Sequence, residues 1–244
     1  ARYYNKVPSA NISHLRYMII PTFALFIPVA LVIAQPDLGT AMLIAIGGLA
    51  VVWMVGFKIK YFMFSSIILI FSAPVVISFL KPYQKTRILT FFNPERDPLG
   101  AGYQIIQSKI AVGSGGFFGK GFLMGSQSYL DYLPEKHTDF IFTLFSEEFG
   151  FFGSVALLII YILIIQRIVV IGGLSRNNFA KIYCYSFATA FFTYVAVNMS
   201  MVLGLLPIVG APLPIMSYGG SAMLSMMVGL GIVMSCKVYG KEEI

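Results

Sequence analysis

The sequence predicts an all-α fold, a polytopic membrane helix bundle with one large extracytoplasmic loop of short helices. Three observations lead there. Of the 244 residues, 58% are hydrophobic and 11% charged, against about 25% charged in a soluble globular domain. The apolar residues gather into long runs, six of which approach the roughly 20 residues a bilayer-crossing helix needs. Lysine and arginine are distributed very unevenly among the short connections. So little polar surface cannot coat a water-soluble body, which excludes a soluble enzyme, a disordered chain and a nucleic-acid-binding module. The two cysteines, Cys184 and Cys236, both lie within apolar runs, so neither a disulfide framework nor a zinc site is indicated.

The expected spans are residues 18–34, 38–57, 61–80, 140–171, 182–206 and 214–238. The fourth is long enough that it must tilt or project beyond the bilayer. With the N-terminus cytoplasmic, that side holds Arg2, Lys6, Arg16, Lys58, Lys60, Arg167, Arg176, Lys181, Lys237 and Lys241. The opposite short connections, around residues 35–37 and 207–212, hold no basic residue. This is the asymmetry of a multi-pass protein with a cytoplasmic C-terminus, its polar segment 81–139 lying outside. That loop carries seven further Lys/Arg. An anionic partner outside and ordinary solvated charge explain them equally well.

Within the loop, Asn93-Pro94 and Asp97-Pro98 are turn-initiating pairs. Residues 103–112 (YQIIQSKIAV) follow, a helix expected to place Ile105, Ile106, Ile110 and Val112 on one face and Gln104, Gln107 and Ser108 on the other. Lys109 falls between Ile105 and Ile106 on the apolar face. Snorkelling to headgroup level accounts for it, and so does a cation held at a lipid phosphate or diphosphate. Residues 113–125 (GSGGFFGKGFLMG) do not match a phosphate loop, because Ser114 stands where its first glycine belongs and Gly121 follows Lys120. Their glycines suit close backbone packing, with Phe117, Phe118 and Phe122 as interfacial anchors.

The loop ends in residues 129–140 (YLDYLPEKHTDF), which gather Asp131, Glu135, Lys136, His137 and Asp139 before an apolar helix. Thr138 or Asp139 could cap that helix. Asp139, Thr143, Ser146, Gly150 and Gly153 fall within about 40° of one line at helical spacing, a small-and-polar stripe of the kind that walls a cavity. Glu147 and Glu148 are costly at membrane depth, and pairing with a basic residue of the loop is favoured over direct chemistry. Asp37 reads as an N-cap. Residues 207–221 (PIVGAPLPIMSYGGS), with Ser217 among them, break helical pattern, as irregular backbone does where it lines a cavity. His14 and His137 lie on opposite sides, so they form no shared metal site.

At this point the residues show a resemblance. AQPDLGTAML at 34–43, NPERDPLGAGYQIIQSKIAVGSGG at 93–116, GKGFLMGSQSYLDYLPEKHTDFIFTLFSEEFGFFG at 119–153 and LLPIVGAPLPIMSYGGSAML at 205–224 resemble the SEDS (shape, elongation, division and sporulation) family. The 105–116 stretch is more like its elongation branch than its division branch. The resemblance covers essentially the whole chain as one SEDS-type transmembrane domain. The family fold has ten spans, so the first three or four are expected to precede the sequence. It implies a peptidoglycan glycosyltransferase of the bacterial plasma membrane, polymerising lipid II on the extracytoplasmic face beside a class B penicillin-binding protein and other elongation-complex proteins, with no nucleic acid involved. The family's catalytic aspartate falls on Asp139, its QPDLG aspartate on Asp37 and its loop lysine on Lys109.

The residues fit that chemistry. Joining a sugar hydroxyl to an anomeric carbon that carries a diphosphate needs one carboxylate as base and cations on the phosphates. Asp139 is the candidate base. Lys109 is the candidate cation, with Arg87, Lys120 or a divalent ion (Mg or Mn) in support, and no protein metal site is indicated. His137, Asp37 and Ser217 complete the candidate substrate contacts. A lipid II flippase would want the same cavity and charges but no base at Asp139. A scaffold that only recruits the transpeptidase would need neither Asp139 nor Lys109.

Overall fold

The computed structural model describes residues 15–35, 37–56, 81–97, 100–126 and 137–240, with single residues between 59 and 78 and Tyr3 besides. The expected third span, the basic residues Arg2, Lys6 and Lys58, His14, and the Asp131, Glu135 and Lys136 cluster lie outside the described residues or largely so. Among the described residues the regular structure is helical: α1 (Leu15–Ala34), α2 (Leu38–Met54), α3 (Pro82–Phe92), a 3₁₀ turn at Pro94–Arg96, α4 (Ala101–Ser114), α5 (Ile141–Leu174), α6 (Asn178–Val202) and α7 (Gly220–Tyr239). By length and composition α5 and α7 can each cross a membrane, with mean hydropathies of 2.6 and 1.6. Ile19–Ala34 and α2 are shorter apolar helices.

The chain divides into two compact units. The first holds residues 1–85, 167–190 and 229–244. In it Gly48 of α2 leaves room for the Leu25 side chain of α1. Asp37 caps α2, its carboxylate accepting from Thr40 N at 3.0 Å and Thr40 Oγ1 at 2.6 Å. Phe179, Tyr183 and Phe187 recur every four residues on α6 and stack, with centroids 6.0 and 6.1 Å apart. Gly229 of α7 has no Cβ to meet the Phe187 ring, and its carbonyl accepts from Tyr183 Oη at 3.3 Å. Cys184 and Cys236 are both buried free thiols in hydrogen-bonding contact.

The second unit holds residues 86–166 and 191–228. Its organising feature is a break in α5. Gly150 has φ 65° and ψ −160°, backbone that only glycine adopts without strain. In an unbroken helix the carbonyls of Glu147 and Glu148 would accept from residues 151 and 152. Here they accept from Lys120 N and Gly121 N, each at 3.0 Å, while Phe151 N and Phe152 N donate to Gly116 O at 2.9 Å and Phe117 O at 3.2 Å. The glycine-rich segment thus takes over four backbone groups that the helix releases, and none is left unpaired. Gly119 and Gly150 meet backbone to backbone, and a Cβ on either would collide with the other segment. The glycines serve close packing, as the sequence suggests. The polar stripe, by contrast, is not one straight line. It turns at Gly150, and Ser154 reaches back to donate to Ser146 Oγ at 3.0 Å.

α4 also differs from expectation. Its buried side is Gly102, Ile105, Ser108 and Ala111, whereas Ile110 is exposed. Ser108 lies inward because its hydroxyl pairs with Thr143 Oγ1 at 2.9 Å and donates to Val202 O at 2.8 Å. A hydroxyl with two such partners is buried at little cost. α3 begins at Pro82, at a first-turn position where proline loses no helical hydrogen bond, and Lys81 N donates to Gln84 Oε1 at 2.9 Å.

Gly150→Ala adds a Cβ against Gly119 N and the Phe117 carbonyl at a positive φ. The expected cost is at least about 2 kcal/mol, read as a lower thermal midpoint of the detergent-solubilised protein. An unchanged midpoint would show that the break is not a fixed element.

Candidate active site

Asp139 lies in the turn that leads into α5, and three consecutive carbonyls there are tied down. Tyr218 N donates to His137 O at 2.9 Å. Ser217 Oγ donates to Thr138 O at 2.6 Å, and Asn198 Nδ2 donates to Asp139 O at 2.8 Å. Ser217 itself is held, since its oxygen accepts from Leu213 N at 2.7 Å. The donors come from α6 and from the irregular segment that follows it, residues 203–219, where proline and glycine prevent helix as expected. That segment is anchored in turn by Tyr161 Oη, which donates to Pro214 O at 2.7 Å.

The Asp139 side chain is half-buried. Its Oδ2 lies 3.5 Å from where a Cβ on Gly210 would stand, so the carboxylate faces the open backbone of a residue at φ 71°. His137 and Ile141, each two residues from it, line a cavity of about 550 Å³ together with Met216, Ser217, Tyr218 and Met223. The walls are mainly apolar, with polar groups at the His137–Tyr218 edge.

The candidate cations fall into three situations. The end of the Lys109 side chain lies over Gly204, just past α6, with Nζ 2.7 Å from where a Cβ would be. It makes no hydrogen bond or ion pair among the described residues, and stands at the C-terminal end of α6, where the helix dipole is negative. Arg87 is exposed and donates from Nη1 to Ile208 O at 3.4 Å, touching the irregular segment. Lys120 is committed elsewhere: its Nζ pairs with Glu147 Oε1 at 2.6 Å and donates to Ser126 Oγ at 2.8 Å. Ser126 also donates to that oxygen, at 3.0 Å. Glu147 is fully buried, so pairing with a loop base is how this carboxylate is accommodated. Asp37 belongs to the other compact unit, where it is the N-cap of α2.

Asn198 is the residue that reading the sequence missed. It is fully buried, and its amide spans Asp139 O and Ala211 O, the latter at 2.6 Å. The available signal was a lone carboxamide inside an apolar helix, which is costly there unless it finds partners.

The family model described as "FTSW_RODA_SPOVE: Cell cycle protein" matches residues 1–242. The peptidoglycan glycosyltransferase MrdB of Escherichia coli (strain K12) is 47% identical over 218 residues, 89% of this chain and 59% of that protein. This chain therefore spans about three-fifths of that relative's length. A solved chain from work on structural coordination of polymerization and crosslinking by a peptidoglycan synthase complex superposes with a TM-score of 0.80 at 32% identity, covering 98% of this chain and 67% of that one. The rod shape determining protein RodA of Thermus thermophilus shares the fold, with a TM-score of 0.62 at 22% identity over 96% of this chain and 62% of its own.

The ion pair makes an asymmetric prediction. Lys120→Met strands a buried carboxylate and is expected to cost about 3–5 kcal/mol. Glu147→Gln costs less, because Lys120, 29% exposed, can turn its ammonium to water. Lys120→Met with Glu147→Leu recovers most of the loss in thermal midpoint. Equal midpoints for the two single variants would contradict this account.

Proposed function

The chain belongs to the FtsW/RodA/SpoVE cell cycle protein family, and from that premise we propose that it is a peptidoglycan glycosyltransferase polymerising lipid II during cell elongation. The observation that carries the reading is Asp139, held by its backbone between two residues of the cavity wall, His137 and Ile141, with its carboxylate close to the Gly210 backbone. A general base needs fixed position and access to the proton it takes. In the proposed step the Asp139 carboxylate accepts the proton of the acceptor sugar's hydroxyl. That oxygen bonds to the donor's anomeric carbon, and the bond from this carbon to the diphosphate oxygen breaks. Undecaprenyl diphosphate leaves with both bonding electrons.

The leaving diphosphate requires positive charge. Lys109 is assigned that role, because its ammonium has no protein anion among the described residues and lies at the end of the same helix that holds Asp139. Arg87 supports it from α3, where it reaches the Ile208 carbonyl of the irregular segment, and His137 and Ser217 border the cavity. Lys120 is the weaker candidate, its charge being answered by Glu147. A Mg or Mn ion, where the step uses one, is proposed to arrive on the substrate's phosphates, as hard cations commonly do.

We place the site on the extracytoplasmic face of the bacterial plasma membrane, in a multi-pass bundle with a cytoplasmic C-terminus. The apolar α5 and α7 and the basic residues of the short connections support this topology. The partner proposed is a class B penicillin-binding protein, supported by the likeness to a chain of a peptidoglycan synthase complex. Other elongation-complex proteins are expected to join them.

The test is polymerisation of labelled lipid II by the full-length protein with its transpeptidase. Asp139→Asn, nearly isosteric, is expected to abolish product while leaving the thermal midpoint within a few degrees. Undiminished polymer would exclude Asp139 as base and favour a lipid II carrier instead. Lys109→Gln is expected to lower kcat/KM by about 10²-fold, and an unchanged value would leave Lys109 as a snorkelling residue only.

A further inference from the structure

Asn198 spends both amide hydrogens on backbone, and the two carbonyls it selects are informative. One belongs to Asp139 itself, at 2.8 Å, and the other to Ala211, at 2.6 Å. Ala211 adjoins Gly210, the residue whose open backbone faces the Asp139 carboxylate. One carboxamide therefore joins the two strands of chain that meet at the carboxylate. Its orientation is set by its neighbours, because a reversed amide would place Oδ1 against two carbonyl oxygens.

The arrangement has a cost. Asn198 is fully buried, and its Oδ1 accepts no hydrogen bond among the described residues. A buried acceptor without a donor is destabilising and rare. Joining two backbone segments here needs no such sacrifice, as Ser217 shows by linking Thr138 O and Leu213 N through one hydroxyl. Among uncharged side chains of this size, carboxamide alone offers two hydrogens from one nitrogen. What asparagine adds over a serine or an apolar residue is simultaneous control of Asp139 and of the backbone beside Gly210.

We infer that Asn198 is a positioning residue for Asp139, clamping the aspartate's backbone and the Gly210–Ala211 backbone so that the carboxylate keeps one direction toward the acceptor hydroxyl. The inference rests on Asp139 being the base. Because Asn198 is buried away from substrate, its loss lowers turnover without weakening substrate binding. General-base catalysis depends steeply on the placement of the base.

The test uses the full-length protein with its transpeptidase, steady-state polymerisation of lipid II, and thermal midpoints measured in parallel. Asn198→Leu, similar in size but with no donor, is expected to lower kcat at least 30-fold with KM for lipid II within threefold. Asn198→Ser, retaining one donor, is expected to fall between. A kcat within threefold of the parent in a folded Leu variant overturns the inference, as does a rise in KM that accounts for the loss. Should the Leu variant fail to fold, Asn198→Ser decides. A folded Ser variant with lowered kcat and constant KM upholds the role, and failure of both to fold makes Asn198 structural and overturns it. Asp139→Asn in the same assay separates the two claims. If that variant still polymerises, the base reading fails. If it is dead while Asn198→Leu keeps full turnover, only the positioning role fails.

Discussion

The exchange of backbone hydrogen bonds at Gly150 is the constraint from which the second unit is built. Two carbonyls and two amides leave the α5 ladder and pair with residues 116, 117, 120 and 121 instead. This fixes the glycine-rich segment in register. Lys120 is thereby carried to the buried Glu147 carboxylate, and the end of α4 is brought down where Gly115 meets the Ser146 carbonyl. α4 then reaches Thr143 and Val202 through Ser108. The break also resolves a problem of length. Unbroken, α5 would run about 51 Å at about 1.5 Å per residue, well beyond a hydrocarbon core of about 30 Å. The limb from residue 151 onward, about 36 Å long, matches a span by itself. Glu147 is then a residue of a short half-helix above that limb.

The carboxylate site uses the same economy of backbone. Three successive carbonyls, of His137, Thr138 and Asp139, each receive one hydrogen bond from a different residue. This fixes the backbone from which the Asp139 side chain projects. The α6 terminus serves both charges of the proposed chemistry, holding the Asp139 backbone through Asn198 and lying under Lys109 at Gly204. The negative end of a helix dipole moderates the lysine's charge without neutralising it. An acidic partner would have quenched it, as Glu147 does Lys120.

Much of this was legible in residue order. Apolar runs marked α1, α2, α5 and α7, and the proline- and glycine-rich stretch after α6 was expected to be irregular. Asp37 as a cap, and Glu147 paired with a loop base, followed from the cost of leaving such groups alone. What escaped was non-local. Gly150 sits in an apolar helix as an ordinary glycine, and only the arrival of residues 116–121, some thirty positions earlier, turns it into a break. Ser108 looked like a surface residue because periodicity counts a hydroxyl as polar without knowing its partners. α3 escaped because its buried Thr90 and its exposed Ile88, Leu89 and Phe92 form no apolar stripe facing inward. The rotation of α4 likewise depends on Thr143 and Val202, which no window around Ser108 contains.

The paired thiols of the first unit have a practical consequence. Cys184 and Cys236 are the only cysteines in the sequence, both buried and in mutual contact. Thiols sheltered in this way react slowly with alkylating reagents, which need exposed thiolate. A cysteine introduced at an exposed position of this chain would therefore take a maleimide dye or spin label far faster than either native thiol. These 244 residues are already a nearly silent background for probe chemistry, and movements of the glycine-rich segment can be followed without removing Cys184 or Cys236.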